Sequence, residues 1–208
     1  MLIFDFFAGT GSSTQAFEDA GHTVITLELD EQFEVTEHSD MMDLTADYLV
    51  GKYGQPDFVW ASPPCTAFSV ASIGHHWTGG VGAYIPKTEA ATYNQGLVWK
   101  TRELIADLEP SLGFLIENPR GVLRKLPPVQ GLTRRTVTYC QYGDDRMKPT
   151  DLWGEVPGWV SREMCKNGDT CHESAPRGAK TGTQGRTGAV TRSMVPYELA
   201  AEIMEAIS

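Results

Sequence analysis

The apolar positions of this chain fall in short blocks whose spacing separates strands from helices. Residues 2–7 are an apolar run broken only by Asp5, the length of a buried strand. Gly9 and Gly11 mark a tight turn after it, and a helix is expected over 14–19, capped by Ser12 or Ser13 and closed at Gly21. A second strand is expected over 23–29. A third, Asp57-Phe58-Val59-Trp60, must stop at Pro63-Pro64, because proline has no N–H to give to a ladder. From 90 to 108, Leu97, Thr101, Leu104, Ile105 and Leu108 recur at helical spacing, and Pro110 ends the helix. Further strands are expected over 112–116 and 134–140. A last helix, over 197–207, carries Leu199, Ile203 and Ile207 on one face. Strand, glycine turn, helix and strand in succession make a βαβ unit, so the fold class is α/β with a largely parallel sheet.

The stretches between these blocks are less regular. Residues 72–87 hold Gly74, Gly79, Gly80 and Gly82 around His75-His76-Trp77, have no period, and are expected to be a long mobile loop. Neighbouring histidines such as His75 and His76 are poorly spaced to share a metal ion. A turn is expected over 141–145, an irregular segment over 148–154, and a polar, glycine-rich region over 155–190. Cys165, Cys171 and His172 in that region could supply three zinc ligands, but their spacing is not that of a standard finger and a fourth ligand is not obvious.

Composition narrows the function classes. At 208 residues, 41% hydrophobic and 21% charged, the chain suits a single domain with a substantial core. No run of 18 apolar residues suggests a membrane span, and Met1 leads straight into a strand rather than into a basic, cleavable leader. Four unevenly spaced cysteines do not read as a secreted disulfide framework, so a reducing cytoplasm is expected. A net charge of −10 argues against wrapping nucleic acid electrostatically. The charge is unevenly spread, however. Residues 1–57 hold Lys52 alone, whereas Arg120, Arg124, Lys125, Arg134, Arg135, Arg146 and Lys148 crowd into 120–148, and 177–192 is also basic. One positive face on an acidic protein is therefore expected.

Three features carry candidate chemistry. The Gly9–Gly11 turn stands about 20 residues before Glu28, the spacing at which an acid meets ribose hydroxyls in dinucleotide-type folds. No lysine follows the turn and no third glycine completes a pyrophosphate cradle, which points to a nucleoside without phosphates, namely S-adenosylmethionine. The second feature is Cys65, the first residue free of proline's constraint after a strand, where open α/β sheets bind ligands. The third is Glu117, which 112–116 would deliver at a strand tip close to Cys65.

Asp5-Phe6-Phe7-Ala8-Gly9-Thr10-Gly11 closely resembles the first motif of the DNA cytosine-5 methyltransferases. Pro63-Pro64-Cys65 resembles their catalytic loop, and Glu117-Asn118-Pro119 their second catalytic motif. The resemblance implies a Rossmann-like S-adenosylmethionine-dependent sheet with helices on both faces, acting on a cytosine flipped out of DNA. By resemblance, Cys65, Glu117 and Arg134 are the catalytic residues, although Thr136 stands where the family's second arginine is expected. The cofactor would meet Phe7, Ala8, Gly9, Thr10, Gly11 and Ser12 at the turn. It would further meet Glu28 and Leu29 at the ribose, Asp40 and Met41 at the adenine (with Asp43 as competitor for Asp40), Pro64, and Ser193 and Met194. Residues 1–140 and 191–208 would form the catalytic domain, and 141–190 a reduced target-recognition region of the kind found in compact, phage-encoded forms. Residues 72–87 would close over the base. Two alternatives stay open: the same chemistry on RNA or a free cytidine nucleotide, and a non-catalytic, zinc-stabilised DNA-binding relative. Neither a membrane nor an obligate protein partner is indicated.

Overall fold

A computed structural model describes residues 1–80, 83–174 and 188–208. The first apolar block forms β1 (Leu2–Phe6), followed by a one-and-a-half-turn helix α1 (Gln15–Asp19) and β2 (Thr23–Glu28). A short strand β3 (Glu37–His38), helix α2 (Ala46–Tyr53) and β4 (Phe58–Ala61) follow. The long helix α4 (Glu89–Leu108) comes after a small excursion, α3 (Ile73–His76), β5 (Trp77–Thr78) and β6 (Ile85–Pro86). The chain then makes β7 (Phe114–Pro119), β8 (Arg134–Thr138) and β9 (Pro149–Glu155), and ends in α5 (Ala189–Ser193) and α6 (Tyr197–Ile207).

Seven strands form one sheet in the order β3-β2-β1-β4-β7-β9-β8. Strands β3, β2, β1, β4 and β7 run parallel, and β9 is antiparallel to both its neighbours. Side-chain alternation splits the core between the two faces. Phe4, Val59 and Ala61 pack with Leu97, Val98, Leu104 and Leu108 of α4, whereas Ile3, Phe58 and Trp60 pack with Leu199, Ile203 and Ile207 of α6. Thr88 caps α4 by accepting from the Ala91 amide (3.2 Å), and Glu109 closes it in the left-handed region (φ 45°) before Pro110. Among the described residues, no helix is long and apolar enough to cross a membrane. Chain order reverses between β1 and β4, so a crevice opens beyond their carboxyl ends, where ligands bind in such sheets.

Four expectations are corrected. The first concerns α1: no serine caps it, because the Ser13 and Thr14 hydroxyls both turn inward to Asp5 (2.7 Å each). The second concerns 72–87, whose described part is a short helix and a two-stranded ribbon instead of an unstructured loop. Trp77 there is 3% exposed and donates to the Ala67 carbonyl (2.6 Å), which ties the ribbon to the segment after Cys65; Gly82 lies outside the described residues. Third, 148–154 is not irregular, since β9 occupies it between β7 and β8. Leu152 and Trp153 are buried, and Asp151, fully buried, is held by Arg124 (2.9 and 2.5 Å) and the Thr136 hydroxyl (2.7 Å). That charge compensation lets an acid sit in a central strand. Lastly, Glu117 lies inside β7 and not at its tip, because β7 runs on through Pro119 against β9. The basic stretch at 177–187 lies outside the described residues.

Candidate active site

The glycine turn is built from both ends. Phe7 takes a positive φ of 62° as it leaves β1, and Gly9 (φ 51°) and Gly11 (φ 72°) follow in the region that side chains avoid. The Gly9 amide donates to one Glu28 carboxylate oxygen (3.0 Å), and the Leu29 and Asp30 amides donate to the other (2.8 and 3.1 Å). Glu28 is thus clamped by three backbone donors, leaving one of a carboxylate's roughly four acceptor positions for a ligand hydroxyl.

Beneath the turn, Asp5 is fully buried, and one of its oxygens finds no partner among the described residues. Burial pushes its carboxyl up to about 7, against the pull of the Ser13 and Thr14 hydroxyls. The folded chain therefore holds a proton here that the unfolded chain releases near the ordinary value of 3.8. The stabilisation from that proton is complete below pH 4 and lost by about pH 7, a span worth roughly 4 kcal/mol. Asp5→Asn removes the titration, so the variant should gain stability relative to the parent as pH rises from about 4 to 7. Paired thermal melts at pH 5 and pH 8 check this, and an unchanged difference between the two proteins would refute it.

A cavity of about 320 Å³ opens beside the turn, lined by Phe7, Leu27, Glu28, Leu29, Asp30, Ser39, Asp40, Met41, Pro64, Tyr93 and Leu97. It unites Phe7, Glu28, Leu29, Asp40, Met41 and Pro64 of the expected cofactor set. Asp40 is in this lining and Asp43 is not, which favours the former. Its carboxylate accepts from the Met42 amide (2.9 Å) and from the Tyr93 hydroxyl (3.2 and 3.3 Å). Ala8, Gly9, Thr10, Gly11 and Ser12 form the turn itself and not the cavity wall. Ser193 spends its hydroxyl on Val190 (2.7 Å) and Met194 is 46% exposed, so neither lines the cavity. The neighbouring Val195 amide donates to Ser12 (3.0 Å), which brings their segment back to the turn. A more open hollow of about 460 Å³, bounded by Ile105, Gly113, Phe114 and Leu132, lies at the opposite end of the sheet and holds no candidate residue.

Past the cavity, the backbone of the Cys65 loop is held by side chains from two directions. Asn118 donates to the Pro63 carbonyl (2.8 Å), and Asn94 of α4 to the Pro64 carbonyl (3.4 Å) and the Thr66 hydroxyl (3.3 Å). Gly121 serves the same loop: a Cβ there would collide with the Phe68 carbonyl, the acceptor for the Val122 amide (2.9 Å). Gly121 is extended (φ −161°), so close approach and not backbone strain demands glycine. Gly121→Ala should cost about 1–3 kcal/mol by overpacking and lower activity by displacing the loop, as melting and initial rates would register. An alanine variant with parental melting and rate would count against this role.

Burial pushes the Cys65 thiol above its ordinary value, and the Glu117 carboxylate adds to that, while Lys148 and Arg192 pull it down. Glu117 is itself raised by burial, opposed by Lys148 and by the Tyr139 hydroxyl, which donates to it at 2.8 Å. Lys148 is 5% exposed, with its ammonium 4.5 Å from the centre of the Tyr139 ring. One compact group thus holds a thiol, an acid that burial makes harder to ionise, and a buried cation that favours ionised forms of both.

Arg134 is not part of that group, a correction to the catalytic set. It is exposed, and register places it across from Trp153 and Ile116 to Ala61, three strands away, or about 14 Å at roughly 4.8 Å per strand. The strand that starts at the crevice carrying a cation is β9 with Lys148, because β9 alone enters the sheet from that end. Lys148 and Tyr139 were missed: Tyr139 reads as the end of a strand, and Lys148 precedes a Pro-Thr-Asp stretch with no strand signature. The basic residue beside the crevice was legible only as part of the positive cluster at 120–148. Cys165, Cys171 and His172 lie apart from the crevice, together with Cys140.

Residues 1–127 match the family model described as C-5 cytosine-specific DNA methylase. A frog virus 3 (isolate Goorha) protein described as "Probable DNA (cytosine-5)-methyltransferase" is 31% identical over 177 residues, 82% of this chain and 78% of that protein. Among solved structures, the Entamoeba histolytica methyltransferase EhMeth aligns with a TM-score of 0.53 at 12% identity, covering 79% of this chain and 56% of that one. The S. pombe Dnmt2 methyltransferase aligns with a TM-score of 0.52 at 11% identity, covering 90% and 57%. These two share the fold, and the chain spans little more than half their length.

Proposed function

The chain belongs to the C-5 cytosine-specific DNA methylase family, and on that premise we propose that it methylates cytosine carbon 5 in DNA through a covalent adduct of Cys65 with ring carbon 6. The observation that carries this reading is the shared crevice of Cys65, Glu117 and Lys148 beside the Glu28–Asp40 cavity. A cavity of about 320 Å³ with a clamped acid, a second acid and apolar walls, and no phosphate-binding lysine in its lining, suits the nucleoside of S-adenosylmethionine. Glu28 would hold a ribose hydroxyl, and Asp40 with Met41 the adenine. When bound, that cofactor supplies an electrophilic sulfonium methyl group.

The chain's own residues do the rest. Cys65, as thiolate, adds to carbon 6, forming the C–S bond. Glu117 gives its proton to ring nitrogen 3, so negative charge does not accumulate on the ring, and carbon 5 becomes an enamine-like nucleophile. Once carbon 5 carries the methyl group, it gives up its proton to water and the electron pair of that C–H bond restores the 5,6 double bond. The C–S bond breaks with its pair leaving on the Cys65 thiolate, and nitrogen 3 returns its proton to Glu117. Lys148 steadies the anionic forms of both residues through the cycle. With Glu117 and Lys148 each 5% exposed, the base must leave the duplex to reach them. We place the reduced target-recognition region within 141–190, less β9, which belongs to the catalytic sheet.

The net charge of −10 favours one competing reading, the same chemistry on RNA or a free cytidine nucleotide. Nucleoside analysis of DNA and RNA from cells expressing the chain separates the two, with Cys65→Ala as control. Gain of 5-methylcytosine in DNA, absent from the control, is expected. Methyl transfer to RNA or nucleotide with none to DNA would overturn the DNA assignment.

A further inference from the structure

Outside the crevice, three of the four cysteines gather with a histidine. Cys140, Cys165, Cys171 and His172 bring their ligand atoms within 4.8 Å of one another, from segments separated by up to 32 residues of sequence. Cys140 follows Tyr139 in the turn after β8. Cys165 arrives on an extended segment whose amide is anchored to the Thr138 hydroxyl (3.0 Å). Cys171 and His172 stand beyond a reverse turn that brings them back towards Cys165. In that turn the Asp169 amide donates to the Lys166 carbonyl (3.1 Å), the Lys166 amide to the Asp169 carboxylate (2.7 Å), and Gly168 takes φ 98°. The fourth ligand that the C-x5-C-H spacing lacked is supplied from the far side of β9.

The separations are those of a tetrahedron and not of a disulfide. Zinc bonds of about 2.3 Å to sulfur and 2.0–2.1 Å to nitrogen give edges of about 3.8 Å between sulfurs and 3.5 Å between sulfur and nitrogen. The Cys171–Cys140 sulfurs lie 3.7 Å apart, and the His172 Nδ1 lies 3.8 Å from the Cys165 sulfur and 3.5 Å from that of Cys171. The Cys140–Cys165 sulfurs, at 3.0 Å, are well beyond a disulfide bond of about 2.05 Å, and this edge needs to open by less than 1 Å. Orienting groups are in place around the ligands. The Gln141 side-chain amide donates to the Cys171 sulfur (3.3 Å), and the His172 Nε2 meets the Ser174 hydroxyl (3.5 Å). Soft thiolates with one imidazole in tetrahedral array select zinc over magnesium, calcium or manganese.

We infer that Cys140, Cys165, Cys171 and His172 form a structural zinc site that fastens 156–174 to the turn carrying Tyr139. The four protein ligands close the coordination sphere, as in structural and not catalytic zinc sites. Residues 156–174 have neither strand nor helix; Trp159 and the Arg162 pairs with Glu198 and Glu202 hold the first part, and the four ligands would hold the part from Cys165 on. Because Cys140 adjoins Tyr139, whose hydroxyl meets Glu117, the metal also steadies the floor of the crevice.

The test is elemental analysis of the full-length, untagged chain, read without any activity. About one zinc per chain is expected in the parent and in Cys65→Ser, with loss of most of it in Cys171→Ser and His172→Ala, both altered near the surface so that folding is spared. Reconstitution with cobalt should give the intense thiolate-to-cobalt absorption of a tetrahedral site, weakened in Cys171→Ser. Thiol titration of the native parent should find only Cys65 readily reactive, with three more thiols released by a chelator under mild denaturation. Metal-free parent with four free thiols, a Cys140–Cys165 disulfide by mass spectrometry, or iron in place of zinc would overturn the assignment.

Discussion

Cys65→Ser should lower methyl transfer by about 10⁴-fold or more, the scale seen when a covalent nucleophile is removed, without altering the fold. The loop's shape rests on Asn118 and Asn94, which hold the Pro63 and Pro64 carbonyls, and on Gly121 against the Phe68 carbonyl, so a near-isosteric hydroxyl at 65 leaves it intact. What is lost is nucleophilicity. A serine hydroxyl does not ionise appreciably near neutral pH, whereas the thiol of Cys65, although pushed up by burial and Glu117, has Lys148 and Arg192 to bring it down. Radiolabelled methyl transfer measures the loss, and an oligonucleotide containing 5-fluorocytosine tests the adduct directly, since fluorine at carbon 5 blocks release of the enzyme. The parent should form an adduct at Cys65 and the variant none. Turnover by the serine variant within tenfold of the parent would remove Cys65 from the mechanism.

Glu117→Gln should separate two quantities that usually fall together. Turnover should drop by about 10²–10⁴-fold, because glutamine cannot pass a proton to ring nitrogen 3. The reactivity of Cys65 towards iodoacetamide should rise. Glu117, once ionised, pushes the thiol up, so neutralising it permanently lowers the thiol's titration point and increases the thiolate fraction at a given pH. The contrast should be greatest on the alkaline side, where the parent's Glu117 is charged, and should shrink as acid protonates it. Tyr139 can still donate to the amide oxygen, so the pocket keeps its shape. Slower alkylation in the glutamine variant would show that the carboxylate does not face the thiol, and unaltered turnover would remove its role in proton transfer.

Much of this site was legible because its parts are local in the chain. Gly9 and Gly11 could be read beside Glu28 since a tight turn, a helix and an acid at a fixed interval are all short-range features. Pro63 and Pro64 announced the end of β4 by chemistry alone. The position of Cys65 then followed from where strands end in such sheets. Misreadings arose where local chemistry was ambiguous. Ser12 and Ser13 look like helix caps, but a buried acid two strand residues upstream of the turn takes the Ser13 hydroxyl, together with that of Thr14. Glycines at 74–82 look like an unstructured loop, yet one buried tryptophan is enough to fold the described part back onto the core.

The sequence by itself determined the parallel half of the sheet and singled out Cys65 and Glu117 as the candidate thiol and acid, because apolar blocks of strand length, prolines and glycine turns act within a few residues. Only the tertiary structure decided which cation stands beside them. Strand β9 inserts antiparallel between β7 and β8, and that pairing carries Lys148 to the crevice while leaving Arg134 exposed at the sheet's edge. The same insertion brings Cys140 to Cys165, Cys171 and His172. Pairing between distant strands leaves no period and no motif in the chain. It is selected by the burial of Leu152 and Trp153 and by the compensation of Asp151 with Arg124, terms that exist only once the sheet has closed.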